Sequence, residues 1–131
     1  MKKHILLVED DDVYLSAITA ILTHEGFRIS EASDGETALR MLTVPPGREP
    51  PDLLITDIRM PGMDGIALIK SVREHGIHCP VIAVSGDIDR KTTERLYESG
   101  CEDYLEKPFT RAELLSKISR VLGNPAQKLI S

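Results

Sequence analysis

The chain has 131 residues, the size of one ordinary domain and too few for two. Hydrophobic residues make up 41% and charged residues 28%, which favours a folded globular protein and excludes a disordered or collagen-like chain. The 16 basic and 21 acidic residues give a net charge of −5, which argues against a surface dedicated to nucleic acids or anionic membranes.

The sequence also bears on where the chain works. It contains no run of the roughly 20 apolar residues that a membrane span needs, and its start turns acidic at Glu9, too early for a secretory signal. We therefore expect a cytoplasmic protein without a membrane segment. Cys79 and Cys101 fit neither a metal motif nor a disulfide scaffold, so we expect two reduced structural thiols.

Short apolar segments of strand character alternate with segments of helical periodicity. The predicted strands are residues 5–8, 27–32, 53–56, 81–84 and, more weakly, 104–105. Helical stripes are formed by Tyr14, Ile18, Ile21 and Leu22, and later by Leu114, Ile118, Val121 and Leu122. Capping-box spacing at Ser33 to Glu36 and at Thr110 to Glu113 predicts two helix starts.

This alternation predicts a doubly wound α/β domain, because short, almost wholly apolar strands are typical of a parallel sheet covered by helices on both faces. The domain is predicted to fill residues 1–123, leaving 124–131 as a short tail or the start of a linker. Residues 45–51 contain four prolines and are predicted to form a surface connector. The helix predicted over 89–99 has few large apolar residues and should be largely exposed.

Charged and hydroxyl side chains follow the predicted strands at their carboxyl ends, where open parallel sheets place their functional sites. Glu9 and Asp10 follow the first strand, and Asp57 follows the third. Ser85 follows the fourth strand, and Lys107 the fifth. We therefore expect these groups to converge at one edge of the sheet.

Three converging carboxylates repel one another, so the site calls for cations. Oxygen ligands favour a hard cation, and few carboxylates with room for water favour Mg²⁺. Glu9, Asp10 and Asp57 would supply three negative charges, which Lys107 and Mg²⁺ would balance. The charge pattern suggests that Asp57 attacks a phosphoryl group whose oxygens Ser85 and Lys107 receive, although charge alone does not distinguish this role from that of a plain metal ligand.

Four segments together resemble the response regulator receiver domain, and the resemblance covers residues 3–122. Residues 5–11 are similar to the first strand and acidic pocket of that family, and 52–65 to its phosphoacceptor strand and the following loop. Residues 81–86 are similar to its hydroxyl-bearing strand, and 103–109 to its lysine strand. The resemblance implies a flavodoxin-like (βα)5 fold with strand order 2-1-3-4-5.

The resemblance implies a role for each acidic site residue. Asp57 would be phosphorylated by a sensor histidine kinase or a histidine phosphotransfer protein. Asp10, Asp57 and the backbone carbonyl of Arg59 would bind Mg²⁺, with Glu9 acting through a metal-bound water.

The same resemblance implies a switch. Lys107 would pair with the phosphoryl oxygens, and its peptide bond to Pro108 would be cis. Ser85 would move toward the phosphoryl group and Tyr104 would turn inward behind it. The surface of helix four, strand five and helix five would then bind a downstream protein target or an output domain.

Arg59 and Asp87 occupy positions that tune the phosphoryl lifetime in the resembled family. We expect them to form an ion pair over the site and to slow hydrolysis of the phosphoryl group.

The sequence disfavours three alternative functions. An aspartyl phosphohydrolase of the haloacid dehalogenase type would carry a second Asp where this chain has Arg59, and a flavodoxin-like nucleotide binder would need a phosphate-cradling loop where this chain has acidic residues. A pseudo-receiver that acts without phosphorylation is disfavoured because every site residue is present. The sequence leaves four points open: the cognate kinase, the downstream target, a homodimer formed on phosphorylation and membership of a larger protein.

Overall fold

The computed structural model describes residues 2–123, in which five strands alternate with five helices. The strands are β1 (His4–Val8), β2 (Arg28–Ala32), β3 (Leu53–Asp57), β4 (Val81–Ser85) and β5 (Asp103–Glu106). The helices are α1 (Asp12–His24), α2 (Gly35–Thr43), α3 (Gly65–Glu74), α4 (Arg90–Ser99) and α5 (Arg111–Leu122). The predicted elements are confirmed, with small shifts at their ends. The short tail or start of a linker predicted for residues 124–131 lies outside the described residues.

The strands form one parallel sheet in the order β2-β1-β3-β4-β5, which confirms the predicted fold class and order. Ile5 pairs with Leu53 between β1 and β3, and Leu54 pairs with Val81 between β3 and β4. Every residue of β3 and β4 is buried, as expected for central strands covered on both faces. The strands that carry Asp57 and Ser85 are therefore held rigidly.

Successive side chains of the central strands enter two separate hydrophobic cores, since strand residues alternate between faces. Leu54 packs on one face of the sheet with Ile69 of α3 and Leu96 of α4. Its neighbour Leu53 packs on the other face with Leu22 of α1. Helices α2, α3 and α4 thus cover one face, while α1 and α5 cover the other.

The helices begin at side-chain caps that satisfy their first free N–H groups. The predicted capping box at Thr110 and Glu113 is confirmed, because each side chain accepts a hydrogen bond from the backbone of the other. The N-caps of the four other helices are aspartates: Asp11, Asp34, Asp64 and Asp89.

The capping box predicted at Ser33 and Glu36 was wrong. Asp34 is the N-cap of α2, and its carboxylate accepts from the Thr37 N–H at 2.7 Å. Glu36 instead accepts from the backbone N–H of Met63 at 3.2 Å. The glutamate therefore ties α2 to the loop that follows β3, rather than closing its own helix.

Gly65 brings the start of α3 directly behind the end of β3. A Cβ atom at this position would lie 2.2 Å from the backbone oxygen of Asp57 and 2.8 Å from the Cα of Ile58. The Gly65 N–H donates to the Ile58 carbonyl at 2.8 Å. No residue with a side chain fits here without displacing the backbone that carries Asp57.

The proline-rich connector runs over the surface as predicted, although Pro51 at its end is buried. The Arg48 guanidinium fixes it to the end of α2 by donating to the carbonyl oxygens of Met41 at 2.8 Å and Val44 at 3.3 Å. The Val44–Pro45 peptide bond is cis, which the sequence did not predict.

Both cysteines are buried and free, which confirms the expectation of structural thiols. Burial raises the pKa of Cys79 and of Cys101 to about 11. Between residues 2 and 123, no helix has the length and apolar character to cross a membrane.

Candidate functional site

The carboxyl edge of the sheet gathers the predicted side chains, because parallel strands all end on the same side. Glu9 and Asp10 follow β1, Asp57 ends β3 in the neighbouring position, and Lys107 follows β5. Carboxylate oxygens of Glu9, Asp10 and Asp57 all lie within 4.8 Å of one another. The convergence expected for these three acids is therefore present in the fold.

The Lys107 ammonium lies between two of these carboxylates. Its Nζ is 2.7 Å from Glu9 Oε1 and 3.3 Å from Asp57 Oδ2. Glu9 is only 1% exposed and Asp57 only 7%, whereas Asp10 is exposed. Because the pairing is shielded from water, each charge in it acts strongly on the others.

Burial and, after it, the neighbouring Asp57 together raise the pKa of Glu9 to about 7, although the Lys107 ammonium acts in the opposite direction. Burial alone would lower the pKa of Lys107, but its hydrogen bond to Glu9 and the charge of Asp57 outweigh this and raise it. Lys107 thus stays protonated, while Glu9 is protonated in a fraction of the molecules near neutral pH. The site holds more negative charge than one ammonium can balance.

The donor set suits a hard divalent cation, since carboxylate oxygens are the ligands that Mg²⁺ prefers. Arg59 lies beside this set, and its backbone N–H donates to Asp57 Oδ1 at 3.3 Å. The exposed Asp10 leaves the cluster accessible to a cation from solution.

Ser85 lies at the end of β4 and is 1% exposed. Its hydroxyl oxygen accepts from the Asp87 N–H at 3.3 Å, and its carbonyl accepts from the Lys107 N–H at 2.8 Å. The second bond links the backbones that carry the hydroxyl and the ammonium. The Lys107–Pro108 peptide bond is cis.

Tyr104 is half-buried on β5. Its ring meets the ring of Tyr97 edge-on, with centroids 6.5 Å apart, and the Lys117 Nζ lies 5.7 Å from its centroid. Lys117 also pairs with Asp103 at 3.0 Å, a contact that the sequence analysis missed. Tyr104 thus joins β5 to both α4 and α5.

The predicted pair of Arg59 and Asp87 forms, with Nη2 of the arginine 2.8 Å from Oδ2 of the aspartate. The pair links the loop after β3, which begins beyond Asp57, to the loop after β4, which begins beyond Ser85. The two side chains are 67% and 70% exposed, so the pair lies in solvent at the rim of the site.

Tyr14 belongs to the site although the sequence analysis placed it only in the apolar stripe of α1. The Lys107 Nζ lies 4.1 Å from the centroid of its ring. No sequence signal distinguishes this tyrosine from a core residue, because the contact depends on how α1 packs against the loop after β5.

Residues 5–119 match the family described as the response regulator receiver domain. The chain is 34% identical over 119 residues to the transcriptional regulatory protein CseB of Streptomyces coelicolor, covering 91% of this chain and 49% of CseB. This chain belongs to the response regulator receiver domain family, and is thus a receiver module of two-component signal transduction.

Solved structures of receiver domains are similar to this chain. The receiver domain of a sensor histidine kinase from Pseudomonas aeruginosa is 33% identical, with a TM-score of 0.82 over 95% of this chain and 100% of that one, and has a magnesium ion coordinated in its active site cleft. A CheY-like receiver domain protein of Methanospirillum hungatei is 26% identical, with a TM-score of 0.85 over 100% of both chains.

The curated relatives include longer proteins. The chain spans about half the length of CseB and 31% of a cyclic di-GMP phosphodiesterase from Thermotoga maritima.

The environment of Glu9 predicts how stability depends on pH without divalent cations. A raised pKa means that the folded state binds more protons than the unfolded state between pH 4.5 and 7, so stability falls as pH rises through this range. Glu9→Gln has no proton to lose and should lack this loss. Urea unfolding of both proteins at a series of pH values measures the difference, and parallel curves would contradict the assigned environment.

Proposed function

We propose that Asp57 accepts a phosphoryl group from a phosphohistidine of a sensor histidine kinase or a histidine phosphotransfer protein, and that the chain acts as a phosphorylation switch. The observation that carries the proposal is the position of the Asp57 carboxylate, with the Lys107 ammonium 3.3 Å away and two further acids within 4.8 Å. A nucleophilic carboxylate needs such cationic support, since negative charge accumulates on the transferred oxygens.

We propose Mg²⁺ as the cofactor. Asp10, Asp57 and the backbone carbonyl of Arg59 would bind it directly, and Glu9 through a water molecule. The clustered oxygens and the surplus negative charge support this assignment. When bound, the ion neutralises oxygens of the transferred group.

In the proposed reaction, a carboxylate oxygen of Asp57 attacks phosphorus, the bond from phosphorus to the donor histidine nitrogen breaks, and that nitrogen keeps the electron pair. The product is an aspartyl phosphate. Lys107, which contacts Glu9 in this structure, then donates to a phosphoryl oxygen. The Ser85 hydroxyl, which accepts from the Asp87 N–H in this structure, then donates to a second phosphoryl oxygen.

The switch would be transmitted through Tyr104 to the surface formed by α4, β5 and α5. Helix α4 supports such a role, because only Leu96 and Ser99 of its ten residues are buried. Few buried contacts make a helix easy to shift. The partner would be a protein target or an output domain rather than nucleic acid. We further propose that the module comprises residues 1–123 and works in the cytoplasm.

This role is that of a signalling switch rather than of an enzyme with a substrate of its own. The residue two positions after Asp57 is Arg59, whose guanidinium pairs with Asp87. It supplies no second acid of the kind a phosphohydrolase would use for proton transfer.

Acetyl phosphate and Mg²⁺ test the phosphoacceptor directly. Wild type should gain the mass of one phosphoryl group, while Asp57→Asn should gain none because the amide cannot act as the nucleophile. Asp12→Asn is the matched control: it removes an equal charge from the exposed first turn of α1 and should label like wild type. Intact mass spectrometry provides the measurement. An unlabelled wild type, or equal labelling of Asp57→Asn, would refute the proposal.

The ion pair between Arg59 and Asp87 should slow the loss of phosphate. Arg59→Ala should release phosphate roughly two- to fivefold faster than wild type, the effect expected of one exposed ion pair between two loops. Arg90→Ala, which breaks the exposed pair with Glu94 on α4, is the control and should leave the lifetime unchanged. Decay of the labelled mass after removal of acetyl phosphate measures the rate. Faster decay in wild type than in Arg59→Ala would contradict this role.

A further inference from the structure

Lys107 has a third neighbour besides its two carboxylates. Its ammonium nitrogen lies 4.1 Å from the centroid of the Tyr14 ring, well within the distance for a cation–π contact. The lysine side chain is 13% exposed in the folded chain, so the ring faces an ammonium that is largely removed from water. The aromatic face and the two carboxylates together surround the cation.

Both the backbone and the ring of Tyr14 are held in place. The backbone N–H of Tyr14 donates to the carboxylate of Asp11, the N-cap of α1, at 3.3 Å. The ring also packs against Phe109, with centroids 6.2 Å apart and planes tilted by 46°. Phe109 lies two residues after Lys107, so Tyr14 joins the start of α1 to the loop that carries the lysine.

A ring face suits this position for a chemical reason. It attracts the ammonium without a formal charge and without a strong acceptor atom, so it does not compete with incoming phosphoryl oxygens for the lysine protons. A third carboxylate here would hold the lysine back. The ring therefore limits the directions in which the ammonium can move while leaving its hydrogen bonds available.

We propose that Tyr14 is a positioning residue for Lys107, whose ring face keeps the ammonium directed at Asp57 and so speeds phosphoryl transfer. This inference rests on the proposed function, in which Lys107 supports the charge that develops when Asp57 attacks phosphorus. With acetyl phosphate as donor, the bond from phosphorus to the acetyl oxygen breaks and acetate leaves with the electron pair. Tyr14 takes no part in bond making.

The test compares wild type, Tyr14→Phe, Tyr14→Leu and Val13→Ala. Phenylalanine keeps the ring face, leucine removes it, and Val13 is a 77% exposed neighbour on the same helix turn. The phosphorylation rate with acetyl phosphate at saturating Mg²⁺ should fall roughly three- to tenfold in Tyr14→Leu, the range expected of one cation–π contact. Tyr14→Phe and Val13→Ala should match wild type, and the Mg²⁺ affinity of all four should agree within about twofold, because the ring contacts the lysine and offers the cation no carboxylate.

A second measurement needs neither phosphorylation nor a folded leucine variant. In wild type the ring current of Tyr14 should shift the ε-methylene proton signals of Lys107 upfield, and Lys107→Arg identifies these signals by their loss. The shift should persist in Tyr14→Phe. An unshifted lysine signal in wild type would overturn the inference.

The kinetic outcomes separate the inference from the function on which it rests. An equal rate for Tyr14→Leu and wild type, or a Tyr14→Phe variant as slow as Tyr14→Leu, would overturn the positioning role while leaving Asp57 as phosphoacceptor. Failure of wild type to be labelled at all would overturn both.

Discussion

The arrangement of this site depends on one interaction, the pairing of the buried Lys107 ammonium with the carboxylates of Glu9 and Asp57. It joins groups at the carboxyl ends of three different strands, and neither acid could be buried here without a cation nearby. One ammonium does not balance the three clustered carboxylates of Glu9, Asp10 and Asp57. The surplus negative charge favours a divalent cation, and adding a phosphoryl group would redistribute every contact around Lys107.

The sheet and the start of α3 hold the acidic site in a fixed position. Strands β3 and β4 are buried along their whole length, so the end of the sheet is a rigid platform. Gly65 lets α3 begin against the backbone of Asp57, with no space for a side chain between them. In contrast, α4 contributes only two buried residues. A rigid site beside a lightly held helix is an arrangement in which a local charge change can shift a distant surface.

Much of this could be predicted from the sequence, because apolar strands that end in charged residues place those residues at one edge. Convergence of Glu9, Asp57 and Lys107 required only that rule, whereas the strand order required a family resemblance. The capping box at Glu36 was wrong because its carboxylate has a competing partner, the Met63 N–H, in a loop distant in sequence. The contact of Tyr14 with Lys107 depends on helix packing, which periodicity does not specify.

The role of Lys107 in balancing charge at Asp57 can be measured by the binding of the phosphoryl analogue beryllofluoride, followed by fluorine NMR. In the presence of Mg²⁺, wild type should show fluorine signals of a bound complex. Lys107→Gln should bind the analogue at least about tenfold more weakly, since it loses a charge-assisted hydrogen bond to the new anion. Equal affinities for wild type and Lys107→Gln would contradict the account, because the buried ammonium would then not be what balances the charge at Asp57.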